Sequence, residues 1–71
     1  MQPSDTTSDR LGRAVRQRRG RLGLRQDELA VLAGVSERFV HTLEAGKESV
    51  RLDKVTAVLD ALGLELDVRR R

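Results

Sequence analysis

The stretch that most limits how this chain can fold is residues 26–44, QDELAVLAGVSERFVHTLE. Apolar residues recur every three or four positions in its first half and again in its second half, which is the spacing of one face of a helix. Between the halves, Gly34 can adopt the left-handed conformation that ends a helix, and the Ser36 hydroxyl can cap the next one. Val35, between them, is expected to be buried at the corner. The stretch therefore predicts two short helices joined by a tight turn.

This order of helix, glycine turn and capped helix is typical of the helix-turn-helix motif, whose second helix enters the DNA major groove. The outward residues expected to read base edges are Ser36, Glu37, Arg38, His41 and Thr42. Arg38 suits this task best, because its guanidinium can bond to both O6 and N7 of guanine. The alternatives are an ion pair with a neighbouring acid for Arg38 and a solvated surface position for His41.

The charge of the chain is unevenly distributed. Residues 10–25 include seven arginines and no acid, and the chain ends in three more arginines, although the net charge is only +3. Such a cluster favours a polyanionic partner, while arginines on a surface helix can also simply keep a protein in solution. The residues expected to contact DNA phosphates on this basis are Arg18, Arg21, Arg25 and Lys47.

Other classes of protein fit the composition poorly. There is no Cys and a single His, so neither a disulfide framework nor a metal site is expected. The chain has no Gly-rich phosphate loop and no cluster of catalytic side chains, so we expect no enzymatic activity and no cofactor. Aromatic residues for stacking on single-stranded bases are almost absent, which disfavours RNA binding. Without a signal or membrane-spanning pattern, a cytoplasmic, nucleoid-associated protein is expected.

We predict three parts along the chain: a disordered tail at residues 1–8, a helical domain at 9–63, and a strand with a basic end at 64–71. Ser8 would cap a first helix whose inward stripe includes Leu11, Ala14, Val15 and Leu22. Three more helices are predicted at about 26–33, 37–45 and 52–62, the last beginning its inward stripe at Leu52. A glycine follows each predicted helix, and the pattern assigns no role to Gly12.

After Gly63 the apolar period changes from that of a helix to that of a strand, because Leu64, Leu66 and Val68 alternate with charged residues. A lone strand leaves its backbone groups unpaired, so we predict that it pairs with a second copy across a two-fold axis. The alternatives are a frayed tail and a continued helix. A homodimer would present two reading helices to successive major grooves, about 34–36 Å apart on a double-stranded operator.

The chain resembles the lambda-repressor and Cro type of helix-turn-helix proteins, the Xre family. The matching residues are Val15-Arg16, Arg19, Leu22-Gly23-Leu24, Gln26, Leu29-Ala30, Ala33-Gly34-Val35-Ser36, Leu43-Glu44, Gly46-Lys47 and Ala61-Leu62-Gly63. The tail LELDV is similar to that of the HipB-like antitoxin branch, whose members dimerise through a C-terminal strand and repress their own operon. The resemblance implies an all-α, lambda-repressor-like domain of four main helices with a short C-terminal β-strand that pairs in a dimer.

The resemblance also implies roles for single residues. Gln26 would brace a DNA phosphate, Lys47 would lie near the backbone, and Arg19 would pair with Glu44 while also pointing at a phosphate. Arg25 and Arg51 stand where the family often has a capping Ser or Thr, so the usual side-chain caps are expected to be missing. For a HipB-like protein the expected partner is a HipA-like serine/threonine kinase toxin, and the alternative is a stand-alone regulator of the same family.

Overall fold

The structure, a computed structural model, describes residues 6–71, so most of the predicted disordered tail lies outside the described residues. The helices are α1 Thr7–Arg21, α2 Gln26–Ala33, α3 Glu37–Glu44 and α4 Leu52–Ala61. α1 packs on α3, and α2 packs on both α3 and α4. The all-α architecture predicted from the sequence is confirmed. None of the helices in residues 6–71 has the length and apolar character needed to cross a lipid bilayer.

The first helix begins earlier than the sequence predicts. The Thr6 hydroxyl accepts a hydrogen bond from the Asp9 backbone N–H at 3.0 Å, and the Asp9 carboxylate accepts one from the Thr6 N–H at 3.4 Å. This reciprocal pair is a capping box, which satisfies two backbone donors that the start of a helix leaves free. The prediction of Ser8 as the cap was therefore wrong, and Thr7 and Ser8 belong to α1 rather than to a tail.

The core is made of small aliphatic side chains drawn from all four helices. Its buried members are Val15, Leu29, Ala30, Val40, Leu43, Val55, Val58, Leu59 and Leu62. Three residues predicted to face inward are exposed instead: Ala14, Leu22 and Leu52. Leu22 follows the last turn of α1 and Leu52 opens α4, so both lie at helix ends, while Ala14 is turned about 100° from Val15 around α1.

The corner between α2 and α3 forms as predicted. Gly34 ends α2 with φ +71°, a left-handed conformation that costs glycine little. The Val35 N–H donates to the Ala30 carbonyl at 3.0 Å, and its half-buried side chain packs against the core. The Ser36 hydroxyl then accepts from the Phe39 N–H at 3.0 Å and caps α3. The relative orientation of α2 and α3 is thus fixed by three consecutive residues.

Gly12 marks the closest approach between α1 and α3. A Cβ atom at this buried position would lie 2.5 Å from the Leu43 carbonyl oxygen and 2.8 Å from that of Glu44. Real side chains do not tolerate such distances, and backbone atoms at the end of a packed helix cannot move aside easily. Gly12 therefore allows α1 to rest directly on the backbone of α3, a role that the sequence pattern did not indicate.

The predicted C-terminal strand is absent from the single chain, because residues 64–71 carry no regular secondary structure. Gly63, with φ +71°, ends α4, so the helix does not continue either. The Leu64 N–H donates to the Leu59 carbonyl at 2.8 Å and its side chain packs against the core. Leu66 and Val68 are exposed, and both line a recess against α1 that Leu11 shares. Pairing between two tails requires a second copy and stays a prediction.

Candidate nucleic-acid interface

The outward face of α3 carries the residues predicted to read bases. Val40 and Leu43 are buried, which turns the opposite face of this short helix to solvent. Glu37, Arg38 and His41 are exposed on that face and Thr42 is half-buried. Ser36 stands at its start, with its hydroxyl oxygen already engaged as the helix cap. A helix with one dry face and one polar face of this length can lie in a groove of duplex DNA.

On one side of α3 lies a recess of about 290 Å³ between α3, the following loop and the start of α4. We call it the α3–α4 recess. Four cationic side chains line it: Arg38, Lys47, Arg51 and Lys54. Phe39 forms part of the wall, and the Lys54 Nζ lies 5.8 Å from the centre of its ring, within the range of a cation–π contact. Arg51 also pairs with Asp53 at 2.7 Å, where both side chains are exposed.

Arg51 and Lys54 were not predicted as phosphate contacts. Both come from the start of α4, separated from the reading helix by a loop whose path the sequence does not specify. The missing side-chain cap at Arg51 was predicted, and the structure has no side-chain hydrogen bond there. An uncapped helix start beside three further cations is a surface that attracts phosphate oxygens.

On the other side of α3 lies a second recess, of about 240 Å³, which we call the α1–α3 recess. Its walls are Arg16, Arg19, Gln26, His41, Glu44 and Ala45. Arg16 was not predicted as a contact, whereas its neighbour Arg18 was. Residues two apart on a helix lie about 200° apart around its axis, so only one of the two can face this recess. The helical position of Gly12, had it been read as a packing contact, would have indicated Arg16.

The α1–α3 recess is built around the ion pair between Arg19 and Glu44. The Arg19 Nε lies 2.6 Å from Glu44 Oε2, and the Arg19 Nη2 donates to Oε1 at 2.9 Å. The exposed fractions are only 17% for the Arg19 side chain and 4% for that of Glu44. The remaining Arg19 nitrogen, Nη1, donates to the Leu24 carbonyl at 2.9 Å. Because each guanidinium nitrogen has a partner within the protein, Arg19 is suited to holding α1, α2 and α3 together.

The pKa of Glu44 reflects this environment. Burial alone would raise the pKa of the carboxyl, but hydrogen bonds from Arg19 and Gln26, with the positive charge of Arg19 and Arg16, hold it below its usual value. The hydrogen bond to Glu44 in turn raises the pKa of Arg19. Both side chains therefore stay charged, and the pair is a compensated one.

Other predicted phosphate contacts have partners elsewhere in the protein. The Arg18 Nε donates to the Leu62 carbonyl at 2.9 Å, which satisfies the end of α4. Arg25 lies 3.1 Å from Asp27 in an exposed ion pair, whose hydrogen bond raises the pKa of Arg25 and lowers that of Asp27. The Arg25 N–H donates to Glu28 at 2.8 Å, so a glutamate from the first turn replaces the missing cap of α2. Arg21 is exposed at the end of α1.

Within residues 6–71, no group of three or more potential ligands is placed to hold a metal ion. What the structure brings together is instead a polar helix face flanked by two recesses that both contain cations. Phosphates of a duplex flank each groove, and base edges lie at its floor, so this arrangement matches the surface of DNA.

Comparison with known proteins leads to the same class. The helix-turn-helix domain family matches residues 10–71, nearly the whole chain. The chain is also similar to an uncharacterized HTH-type transcriptional regulator, y4mF, of Sinorhizobium fredii (strain NBRC 101917 / NGR234). The two are 48% identical over 58 residues, which cover 82% of this chain and 76% of the relative. This chain therefore belongs to the helix-turn-helix domain family of DNA-binding proteins.

Proposed function

We propose that the protein is a sequence-specific transcriptional repressor that binds double-stranded DNA and blocks a promoter by occupying it. The observation that carries this proposal is the exposed row of Glu37, Arg38 and His41 on α3, flanked by cationic recesses on both sides. The name of the relative, an HTH-type transcriptional regulator, agrees with it. Such a protein acts in the cytoplasm on the nucleoid.

The two kinds of contact divide between different residues. Arg38 bonds to guanine, and Glu37 can accept a hydrogen bond from cytosine N4. Lys47, Arg51 and Lys54 meet backbone phosphates on one side of α3, which fixes the register of the protein on the duplex. Arg16 and Gln26 do the same on the other side. Ser36, His41 and Thr42 complete the reading face.

The proposal is tested by selecting duplexes from a random-sequence pool with the native protein and measuring the affinity of variants for the selected site. Arg38→Ala is expected to weaken binding by roughly 5- to 150-fold, the equivalent of about 1–3 kcal/mol, and to relax the preference at one base pair. Arg10→Ala removes an exposed arginine of α1 away from the reading face and serves as the matched control. A native protein that selects no sequence would contradict the proposal.

We further propose that the repressor is a homodimer joined through residues 64–71. The exposed Leu66 and Val68 support this, since they leave apolar side chains and backbone groups at the surface of the single chain. Sedimentation of the native protein is expected to give a dimer, and Leu66→Asp with Val68→Asp a monomer. A monomeric native protein at micromolar concentration would refute this part.

An antitoxin role is the second candidate. It follows from the resemblance to HipB-like proteins, with a HipA-like serine/threonine kinase as partner. The structural observation that favours a protein partner is the outer face of α2, where Val31 is 82% and Leu32 63% exposed beside a recess shared with Leu24. A kinase reading frame beside the gene, whose product binds the native protein but not Val31→Asp/Leu32→Asp, would favour this role over a stand-alone regulator.

A further inference from the structure

Glu44 holds a third group besides the two guanidinium nitrogens of Arg19. The Gln26 Nε2 donates to Glu44 Oε1 at 3.1 Å, and Oε1 also accepts from Arg19. Gln26 is the first residue of α2 and half-buried, and its amide lines the α1–α3 recess together with Arg16 and His41. A carboxylate at the end of α3 thus holds the side chain at the start of α2.

The direction of this hydrogen bond matters for DNA binding. A glutamine amide has a carbonyl oxygen that only accepts hydrogen bonds and an NH2 group that donates two. A phosphate oxygen only accepts, so it is attracted by the NH2 end and repelled by the carbonyl end. Because the Glu44 carboxylate is ionised and can only accept, it fixes which end of the amide turns toward the recess. One amide hydrogen binds Glu44, and the other is left to point outward.

We propose that Glu44 is a positioning residue for DNA binding, which orients the Gln26 amide so that Nε2 donates to a backbone phosphate seated in the α1–α3 recess. This inference rests on the proposed function and assigns Glu44 a role beyond its ion pair with Arg19. Arg16, on the wall of the same recess, supplies the charge that attracts the phosphate, while the neutral amide supplies direction. Arg19 neutralises Glu44, which would otherwise repel the phosphate.

The burial of the cluster explains why the orientation is held before DNA arrives. Glu44 is 4% exposed and bonded through both oxygens, so it cannot turn away from Gln26 without breaking its contacts with Arg19. Gln26 in turn cannot reverse its amide without placing its carbonyl oxygen against the carboxylate. A donor fixed in this way loses little conformational entropy on binding.

The test compares Gln26→Ala in two backgrounds, using a duplex selected from a random pool by the native protein. The second background is Arg19→Met/Glu44→Leu, which replaces the whole pair with apolar side chains and leaves no buried charge unpaired. In the native background Gln26→Ala is expected to weaken binding on the order of tenfold, the size of one hydrogen bond to a charged group. In the Met/Leu background the same substitution is expected to change nothing.

A purely structural role for Glu44 predicts a different result, with Gln26→Ala equally harmful in both backgrounds. That result would overturn the proposal, as would native affinity in the Met/Leu variant. The salt dependence gives a second distinction, because Gln26 is neutral: its removal leaves the slope of log K against log salt unchanged, whereas Arg16→Ala lowers the slope by about 0.9.

Should the Met/Leu variant fail to fold, the side-chain amide NMR signals of the native protein decide the matter. Addition of the selected duplex is expected to shift the Gln26 NH2 signals and to leave those of Gln17, an exposed glutamine of α1, nearly in place. Unshifted Gln26 signals would overturn the proposal. If the native protein selects no duplex, the proposed function fails as a whole; if Arg38→Ala weakens binding and Gln26→Ala does not, this inference alone fails.

Discussion

The two recesses beside α3 contain the same kinds of cation and use them differently. In the α1–α3 recess, Arg19 is largely buried and compensated by Glu44 at 2.6 Å. In the α3–α4 recess, Arg38, Lys47 and Lys54 line an open surface on which Asp53 pairs with Arg51. A compensated, buried charge contributes to architecture, while uncompensated surface charge remains for a polyanion.

The difference also separates what each recess does for DNA binding. The open side supplies attraction and releases counterions, so its contribution depends on salt. The packed side supplies geometry, because Arg19, Glu44 and Gln26 connect three helices around one carboxylate. Substitutions on the packed side are therefore expected to change the free energy of unfolding, and those on the open side mainly the affinity for DNA.

The largest effect is expected from Glu44→Ala, which leaves Arg19 as a mostly buried, unpaired charge. Removing one partner of a buried ion pair costs about 3–5 kcal/mol of unfolding free energy. Urea denaturation at pH 7 measures this loss. Arg19→Met/Glu44→Leu is the control, and it is expected to recover most of the stability because neither charge remains. A loss below about 1 kcal/mol in Glu44→Ala would show that the two recesses do not differ in this way.

The same pair predicts how stability depends on pH. The pKa of Glu44 is lower in the folded protein than its ordinary value of 4.5, so the folded state favours the charged form. Its contribution is fully present above the unfolded-state pKa, and it is lost as the pH falls through the lower folded-state pKa. The native protein is therefore expected to lose more stability below about pH 4.5 than the Met/Leu variant does. Parallel pH curves for the two would contradict the compensated pair.

A smaller effect is expected at Gly12, where α1 rests on the backbone beside this pair. Gly12→Ala places a methyl group within 2.5 Å of the Leu43 carbonyl oxygen, and such overpacking costs about 1–3 kcal/mol. Gly20, on the same helix, has no atom within 4 Å of a Cβ, so Gly20→Ala is expected to stabilise the protein by about 0.4–1 kcal/mol. Thermal melts of both variants check the opposite signs. A stabilising Gly12→Ala would show that α1 and α3 are not in tight contact.

The sequence predicted those features that depend on neighbours along the chain. The turn at Gly34, the cap at Ser36 and the buried face of α3 follow from local spacing, and each is present. The role of Gly12 could not be predicted, because it depends on a contact with Glu44, thirty-two positions away. Arg16 and Lys54 were missed for a similar reason, since charge patterns identify a basic segment but not the side of a helix that faces the partner.

The smallest effect on folding, and the sharpest on DNA binding, is expected from Lys47→Ala and Lys54→Ala in the open recess. Neither lysine forms an ion pair with an acid within residues 6–71, so the unfolding free energy is expected to stay unchanged. Removing one phosphate contact lowers the slope of log K against log salt by about 0.9, and the double variant lowers it by about twice as much. Binding to the selected duplex, measured across a salt series, checks this, and the base preference set by Arg38 is expected to remain because phosphate contacts carry no sequence information. An altered base preference with an unchanged slope would instead place the lysines against bases, and would move the boundary between reading and anchoring from α3 to the start of α4.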